Sequence, residues 1–316
     1  MENATRPGTA MVFPGMGPAR FADVGKFMLL NPRARRLVAA ADARLGYSLV
    51  DRFRETPGDY SEYAQVAFLV NCLALAEWAE RELGVAPEVC VGASFGVKTA
   101  IAHAGALPFE DAVWMTAALA RRVAEYFATE HQDVVTHSFV RTPGERVSEA
   151  LGELRGRGEW CDVSCHVDHD FYMVTLRERN VEWLDRKVRA MGGLTLYTMR
   201  PPMHSPAFDG LRRAAEEEVL AELDFADPTL PLVADHDGRV VRSAEEVRAM
   251  LLDGFVRPLR WPTVVAALRD LGIGTVCVAG QDSLFSRVAC TRENFEVVAA
   301  GPQLALRPRR RGAGVP

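Results

Sequence analysis

The stretch Gly92-Ala93-Ser94-Phe95-Gly96 constrains this chain most. It reads Gly-x-Ser-x-Gly, with the apolar run Val89-Cys90-Val91 before it and a helix-compatible run, 97–104, after it. In that context the pattern is a nucleophile elbow, a tight strand-to-helix turn that holds a serine Oγ in the open. Glycines let the backbone turn without side-chain clashes. The N-terminus of the following helix favours negative charge at the reacting centre. The chemistry is an acyl group held on Ser94; whose acyl group, and where it goes, the pattern leaves open.

The rest of the chain supplies the sheet that an elbow requires. Residues 9–13 read as a strand broken by Pro14-Gly15-Met16-Gly17, and 31–45, 60–83 and 109–129 as helices. Glu110 and Asp111 in the first turn of the last helix suit its dipole. Strands alternating with helices imply a mainly parallel sheet covered on both faces. The pattern changes at 134–140, a strand, followed by a helix over 144–155, strands over 161–166 and 171–176, a helix over 180–191 and a strand over 194–199. That βαββαβ order is ferredoxin-like. Helices over 205–223, 244–255 and 262–271 and strands over 230–234 and 275–279 resume the α/β pattern. The expected fold is therefore a large α/β-hydrolase-like domain (1–131 and 200–306) with an inserted ferredoxin-like subdomain (132–199) and a basic, flexible tail (307–316).

Composition narrows the class. Of 316 residues, 48% are hydrophobic and 25% charged, ordinary for a globular chain. A formal net charge of −5 argues against a general nucleic-acid binder. No apolar run is long enough to span a bilayer, and residues 1–9 lack the order of a signal peptide. Six scattered cysteines, several in apolar runs, suit reduced core thiols in the cytoplasm.

Ser94 needs a base, and His204 is the best candidate. It lies in Arg200-Pro201-Pro202-Met203-His204-Ser205-Pro206, where prolines fix the loop and hence the imidazole. Neutral imidazole can take the serine proton and return it to a leaving thiol. The other reading of His204 is a surface histidine in a turn. An acyl-serine intermediate also needs an oxyanion hole. The N–H of Phe95 is one expected donor, and the N–H of Met16 in the glycine-rich loop is the other. That loop could equally be a plain βα turn. Cys165-His166-x-Asp168-His169-Asp170 looks like a metal cluster but falls on a strand and turn without zinc spacing, so a polar hairpin is expected. Lys98 is expected to point to solvent or to form an ion pair.

Together, Phe13-Pro14-Gly15-Met16-Gly17, the Ser94 elbow, Met203-His204-Ser205-Pro206 and Pro258-Leu259-Arg260-Trp261 resemble the malonyl-CoA:acyl-carrier-protein transacylase family, in its order and at its spacing. The resemblance implies a ping-pong acyl transfer through a Ser–His dyad. It also implies a main-chain carbonyl orienting the histidine, here that of Arg260. No bound cofactor is implied, since the substrate arrives on the phosphopantetheine arm of a carrier protein. A monomer is expected.

The departures carry information. Met16 stands where the family usually has Gln, and Ala93 where it usually has His. Malonyl-type members carry an Arg in the helix after the elbow that binds the malonyl carboxylate bidentately. Counting from Ser94, Leu119 holds that place, and Arg121 and Arg122 point elsewhere along the helix. A carboxylate left without its partner costs several kcal/mol, so malonyl and methylmalonyl thioesters are expected to be poor substrates. Ala93, Leu119 and Met203 would line the acyl pocket. The pattern is most similar to the discrete, trans-acting acyltransferases of macrolactam polyketide pathways, vicenistatin type. That resemblance implies transfer of an aminoacyl-β-amino acyl (dipeptidyl) unit from a discrete acyl carrier protein to the loading carrier domain of a polyketide synthase. Acidic carriers need basic docking residues, and Arg141 and Arg287 are the expected contacts. The competing readings are an editing thioesterase or serine hydrolase, an acyl-CoA:carrier transacylase, and a docking protein that has kept the fold.

Overall fold

The structure is a computed structural model and describes residues 7–307. The expected tail beyond Arg307, including Arg309, Arg310 and Arg311, lies outside the described residues. The described residues form eleven strands: β1 (Gly8–Phe13), β2 (Val89–Gly92), β3 (Val134–Val140), β4 (Cys161–Asp168), β5 (Phe171–Arg177), β6 (Leu194–Met199), β7 (Leu232–Val233), β8 (Val240–Val241), β9 (Leu259–Arg260), β10 (Ile273–Ala279) and β11 (Glu296–Ala300). They form two sheets, ordered β11-β10-β1-β2-β7-β8 and β6-β3-β5-β4-β9.

The first sheet is parallel apart from β8. Its interior strands are apolar runs because helices cover both faces. The long helix Glu62–Leu83 is buried almost all round over 64–79. Ser61 caps its start by accepting the Ala64 N–H, and Gly84 closes it at φ 69°. Helix Phe109–Thr129 packs against it with its Leu119-bearing face buried.

In the second sheet, β3 to β6 have the antiparallel ferredoxin-like order, and β9 is added parallel to β4. Helices Gly144–Gly156 and Val181–Ala190 cover one face through Val147, Leu151, Leu154, Leu184 and Val188. The other face turns Cys165, Val167, Phe171 and Met173 toward Leu259, Trp261 and Phe285. The two sheets therefore share a hydrophobic seam, and the cleft opens along it.

Sequence patterning misses short elements. Strands β8 and β9 have two residues each, too few for a period to show. The helices Phe21–Leu30 and Leu49–Glu55 and strand β11 were not expected either. The helix expected over 205–223 is broken, because Val219 leaves helical geometry (φ −122°, ψ −55°). All six cysteines are buried and free. Among the described residues no helix is long and apolar enough to cross a membrane.

Candidate active site

Strands β1 and β2 run parallel with Phe13 opposite Gly92, so the loops leaving them lie side by side. The Ala93 N–H donates to the Phe13 carbonyl at 2.9 Å and ties the elbow to that loop. Both elbow glycines are required by space. A Cβ on Gly92 would meet the Gly96 carbonyl at 2.2 Å, and one on Gly96 would meet the Phe13 carbonyl oxygen at 2.1 Å. The left-handed residue of the turn is Ser94 itself, at φ 53°. That conformation costs a non-glycine residue roughly 1–2 kcal/mol, and here it lifts Oγ out of the sheet.

Ser94 Oγ lies 2.7 Å from His204 Nε2. His204 is also left-handed, at φ 62°, and is 4% exposed. Three bonds fix its loop. The Ser205 N–H donates to the Phe255 carbonyl, the Ser205 hydroxyl donates to Asp162, and the Thr175 hydroxyl donates to the Met203 carbonyl. Burial pushes the imidazole below its ordinary pKa, while the nearby Asp235 carboxylate works the other way. The imidazole is thus neutral near pH 7, as a base must be.

Two findings here depart from the sequence expectations. His204 Nδ1 has no hydrogen-bond partner among the described residues, and the backbone groups that raise the imidazole pKa are those of Arg257 and Gly254, with none from Arg260. Arg260 is held in β9, opposite His166 and with its N–H on the Asp235 carbonyl. The chain leaving the helix Ala244–Val256 passes the histidine instead. Sequence reading also found no acidic residue near the dyad, yet Asp235 is 2% exposed and lies directly behind the elbow. Its Oδ2 accepts the Ser94 N–H at 2.7 Å. Asp235 makes no hydrogen bond to His204, so it biases the dyad by charge rather than completing a triad.

Met16 and Phe95 both line the space at Ser94. Among the described residues neither N–H makes a hydrogen bond to protein. Two free donors beside a serine–histidine pair can serve as an oxyanion hole.

Two cavities meet at Ser94. A chamber of about 120 Å³ extends into the large unit between Tyr60, Gln65, Lys98, Leu119, Val123, Leu251, Phe255 and Met203. A channel of about 80 Å³ runs along the seam between Cys165, Val167, Met173, Tyr197, Leu259 and Phe285. Met16, Met199 and His204 border both. Leu119 and Met203 line the chamber as expected. Ala93 does not: it is fully buried on the far side of the elbow, among Val12, Val91 and Trp261. Its side chain and that of Ser94 leave the turn in different directions.

Charge in the chamber also differs from expectation. Arg121 pairs with Glu62 at 2.6 Å, and Arg122 pairs with Glu125 and Glu218, so neither guanidinium enters. Lys98 does enter. It is half-buried, with Nζ 4.6 Å from the Phe95 ring centroid and 3.5 Å from Gln65 Oε1. Burial lowers its pKa to about 8. It neither reaches solvent freely nor has an ion pair among the described residues.

Arg141 and Arg287 are exposed and unpaired among the described residues. The β4–β5 turn bonds to the segments that follow both of them. The Thr142 N–H donates to the Asp170 carbonyl, and the Asp168 carboxylate accepts the Ala289 and Cys290 N–H groups. Asp168 thus caps the short helix Ala289–Arg292, and His166 stacks on Tyr172 at 4.6 Å. Arg287 lines a wider groove that adjoins the channel at Gly17, Asp282 and Ser283.

Comparison with known proteins agrees with this geometry. Residues 138–199 match the family described as the VinK acyltransferase small domain. The chain is 26% identical over 275 residues to a probable mitochondrial malonyl-CoA-acyl carrier protein transacylase of Drosophila melanogaster, covering 80% of this chain and 70% of that protein. It is 28% identical to the polyketide biosynthesis protein ThaF of Burkholderia thailandensis, over 94% of this chain but 25% of ThaF. A malonyl transacylase solved in complex with its type II polyketide synthase acyl-carrier protein, PlMCAT with AntF, has the same fold. It superposes with a TM-score of 0.79 at 23% identity, over 93% of this chain and 95% of that one. The protein is an acyltransferase. More narrowly, it is similar to malonyl-CoA:acyl-carrier-protein transacylases and to a polyketide biosynthesis protein.

Proposed function

We propose that this acyltransferase moves a non-malonyl acyl group, an aminoacyl-β-amino acyl unit of macrolactam biosynthesis, from a discrete acyl carrier protein to the loading carrier domain of a polyketide synthase. The observation that carries the reading is Leu119 in the chamber wall, with Arg121 and Arg122 both engaged outside it. A malonyl carboxylate there finds no guanidinium fork.

The chemistry follows from the dyad. Ser94 Oγ attacks the thioester carbon while His204 Nε2 takes its proton, and the oxyanion rests on the Met16 and Phe95 N–H groups. Collapse breaks the C–S bond, and the leaving thiolate takes the proton from His204. The acceptor thiol reverses these steps on acyl-Ser94. No resident metal or cofactor is needed. The chamber holds the acyl chain and the channel the phosphopantetheine arm. Arg141 and Arg287 flank the channel side, where an acidic carrier helix would dock.

Asp235 favours keeping a hydrolase in view, since a carboxylate near a Ser–His pair is a hydrolase trait. One incubation separates the readings: acyl-loaded carrier with enzyme, with and without acceptor carrier, followed by intact mass. Transfer to the acceptor through an acyl-Ser94 species is expected. Acceptor-independent release would establish the hydrolase, and absence of any acyl-enzyme would refute both.

A further inference from the structure

The chamber is apolar except at one place. Lys98 and Tyr60 both line it, and Gln65 ties the two residues together. Gln65 Nε2 donates to the Tyr60 carbonyl at 3.0 Å, and its Oε1 faces Lys98 Nζ at 3.5 Å. Both functional groups of Gln65 are therefore engaged. The two donors are less well served: the Tyr60 hydroxyl is buried without a hydrogen-bond partner, and Lys98 has only the long contact to Gln65 and the face of Phe95. A buried donor without an acceptor is unfavourable, so an apolar pocket that keeps an unpartnered hydroxyl beside an ammonium held by one long contact is built for an acceptor that arrives with the ligand. No carboxylate of the protein lines the chamber among the described residues.

We propose that Lys98 and Tyr60 determine acyl specificity by donating to a carbonyl oxygen within the bound acyl chain, the amide carbonyl of an aminoacyl-β-amino acyl group. The inference rests on the carrier-to-carrier reading above. Ser94 and Lys98 line the same chamber, so an acyl chain on Ser94 extends into the space that Lys98 borders. In a β-amino acyl amide the second carbonyl carbon is four bonds from the thioester carbon, against two for a malonyl carboxylate, so the amide carries its oxygen deeper into the chamber.

The test compares two carrier-bound chains of equal length, one with the internal amide and one with that amide replaced by two methylenes. Acylation of Ser94 is followed by intact mass for wild type, Lys98→Met and Tyr60→Phe. The expected result is a loss of roughly tenfold or more for the amide chain with Lys98→Met and a smaller loss with Tyr60→Phe. The all-carbon chain should stay within about twofold, which also reports folding. Equal losses on both chains overturn the proposal, as does a loss confined to malonyl loading. Wild-type enzyme that does not load the amide chain overturns the underlying reading as well. Loading with an unchanged ratio between the chains in both variants overturns only the role of Lys98 and Tyr60.

Discussion

The chamber and the channel share Ser94, Met16 and His204 but are built by opposite means. Helices of the large unit form much of the chamber wall, and its polar groups are few and internal: Gln65 bonds to the Tyr60 carbonyl and Lys98, while the Tyr60 hydroxyl has no partner. The channel lies where two sheets meet, between β4, β5 and β6 on one side and the 282–285 loop on the other. Arg287, exposed and unpaired among the described residues, lines the groove that adjoins it. A closed wall can discriminate an acyl chain, whereas an open seam with free charge can receive a protein. On our reading, the enzyme selects its cargo in one and its carriers in the other.

That division can be broken by separating effects on carrier and on acyl chain. The larger effect belongs to the channel rim. Changing Arg141 or Arg287 singly to Ala should raise the KM for acyl carrier by roughly 5- to 10-fold, about 1–1.4 kcal/mol, with kcat retained. Added salt should shrink the difference, since exposed charges are screened. Changes below threefold, or equal changes with a small acyl-thioester lacking a carrier, would remove the docking role.

A subtler effect belongs to the junction. The active form of His204 is neutral; burial lowers its pKa and the Asp235 charge raises it again. Asp235→Asn leaves an oxygen for the Ser94 N–H but removes the charge. The imidazole should then lose its proton at lower pH, so the acid limb of the acylation pH–rate profile should move down while the rate near pH 7 changes little. A limb that stays put or moves up would show that Asp235 does not act on His204 by charge.

How far the sequence could be read differs between the two cavities. The elbow, the histidine loop and Leu119 were legible because each rests on local spacing: a turn motif, bracketing prolines, a count along one helix. The strands β3 and β6 and the helix Phe109–Thr129 fall at the expected residues for the same reason. Asp235 was not legible. It lies 141 residues from Ser94, just past the strand expected over 230–234, and only pairing of β2 with β7 brings it behind the elbow. Lys98 was misjudged because a charged residue in a first helical turn usually meets solvent, whereas here the helix Phe109–Thr129 and the Tyr60 region close over it. The setting of Arg260 was not legible either, since the two-residue strand β9 that holds it gives no periodic signal.

The central claim is that the chamber admits an amide-bearing acyl chain in preference to malonate. It is tested most directly by presenting the purified enzyme with malonyl-CoA and an aminoacyl-β-amino acyl carrier protein together, quenching, and weighing the intact protein. The account predicts that the adduct on Ser94 carries the aminoacyl-β-amino acyl mass, with malonyl-Ser94 a minor species. A predominant malonyl adduct, absent from a Ser94→Ala control, would contradict it.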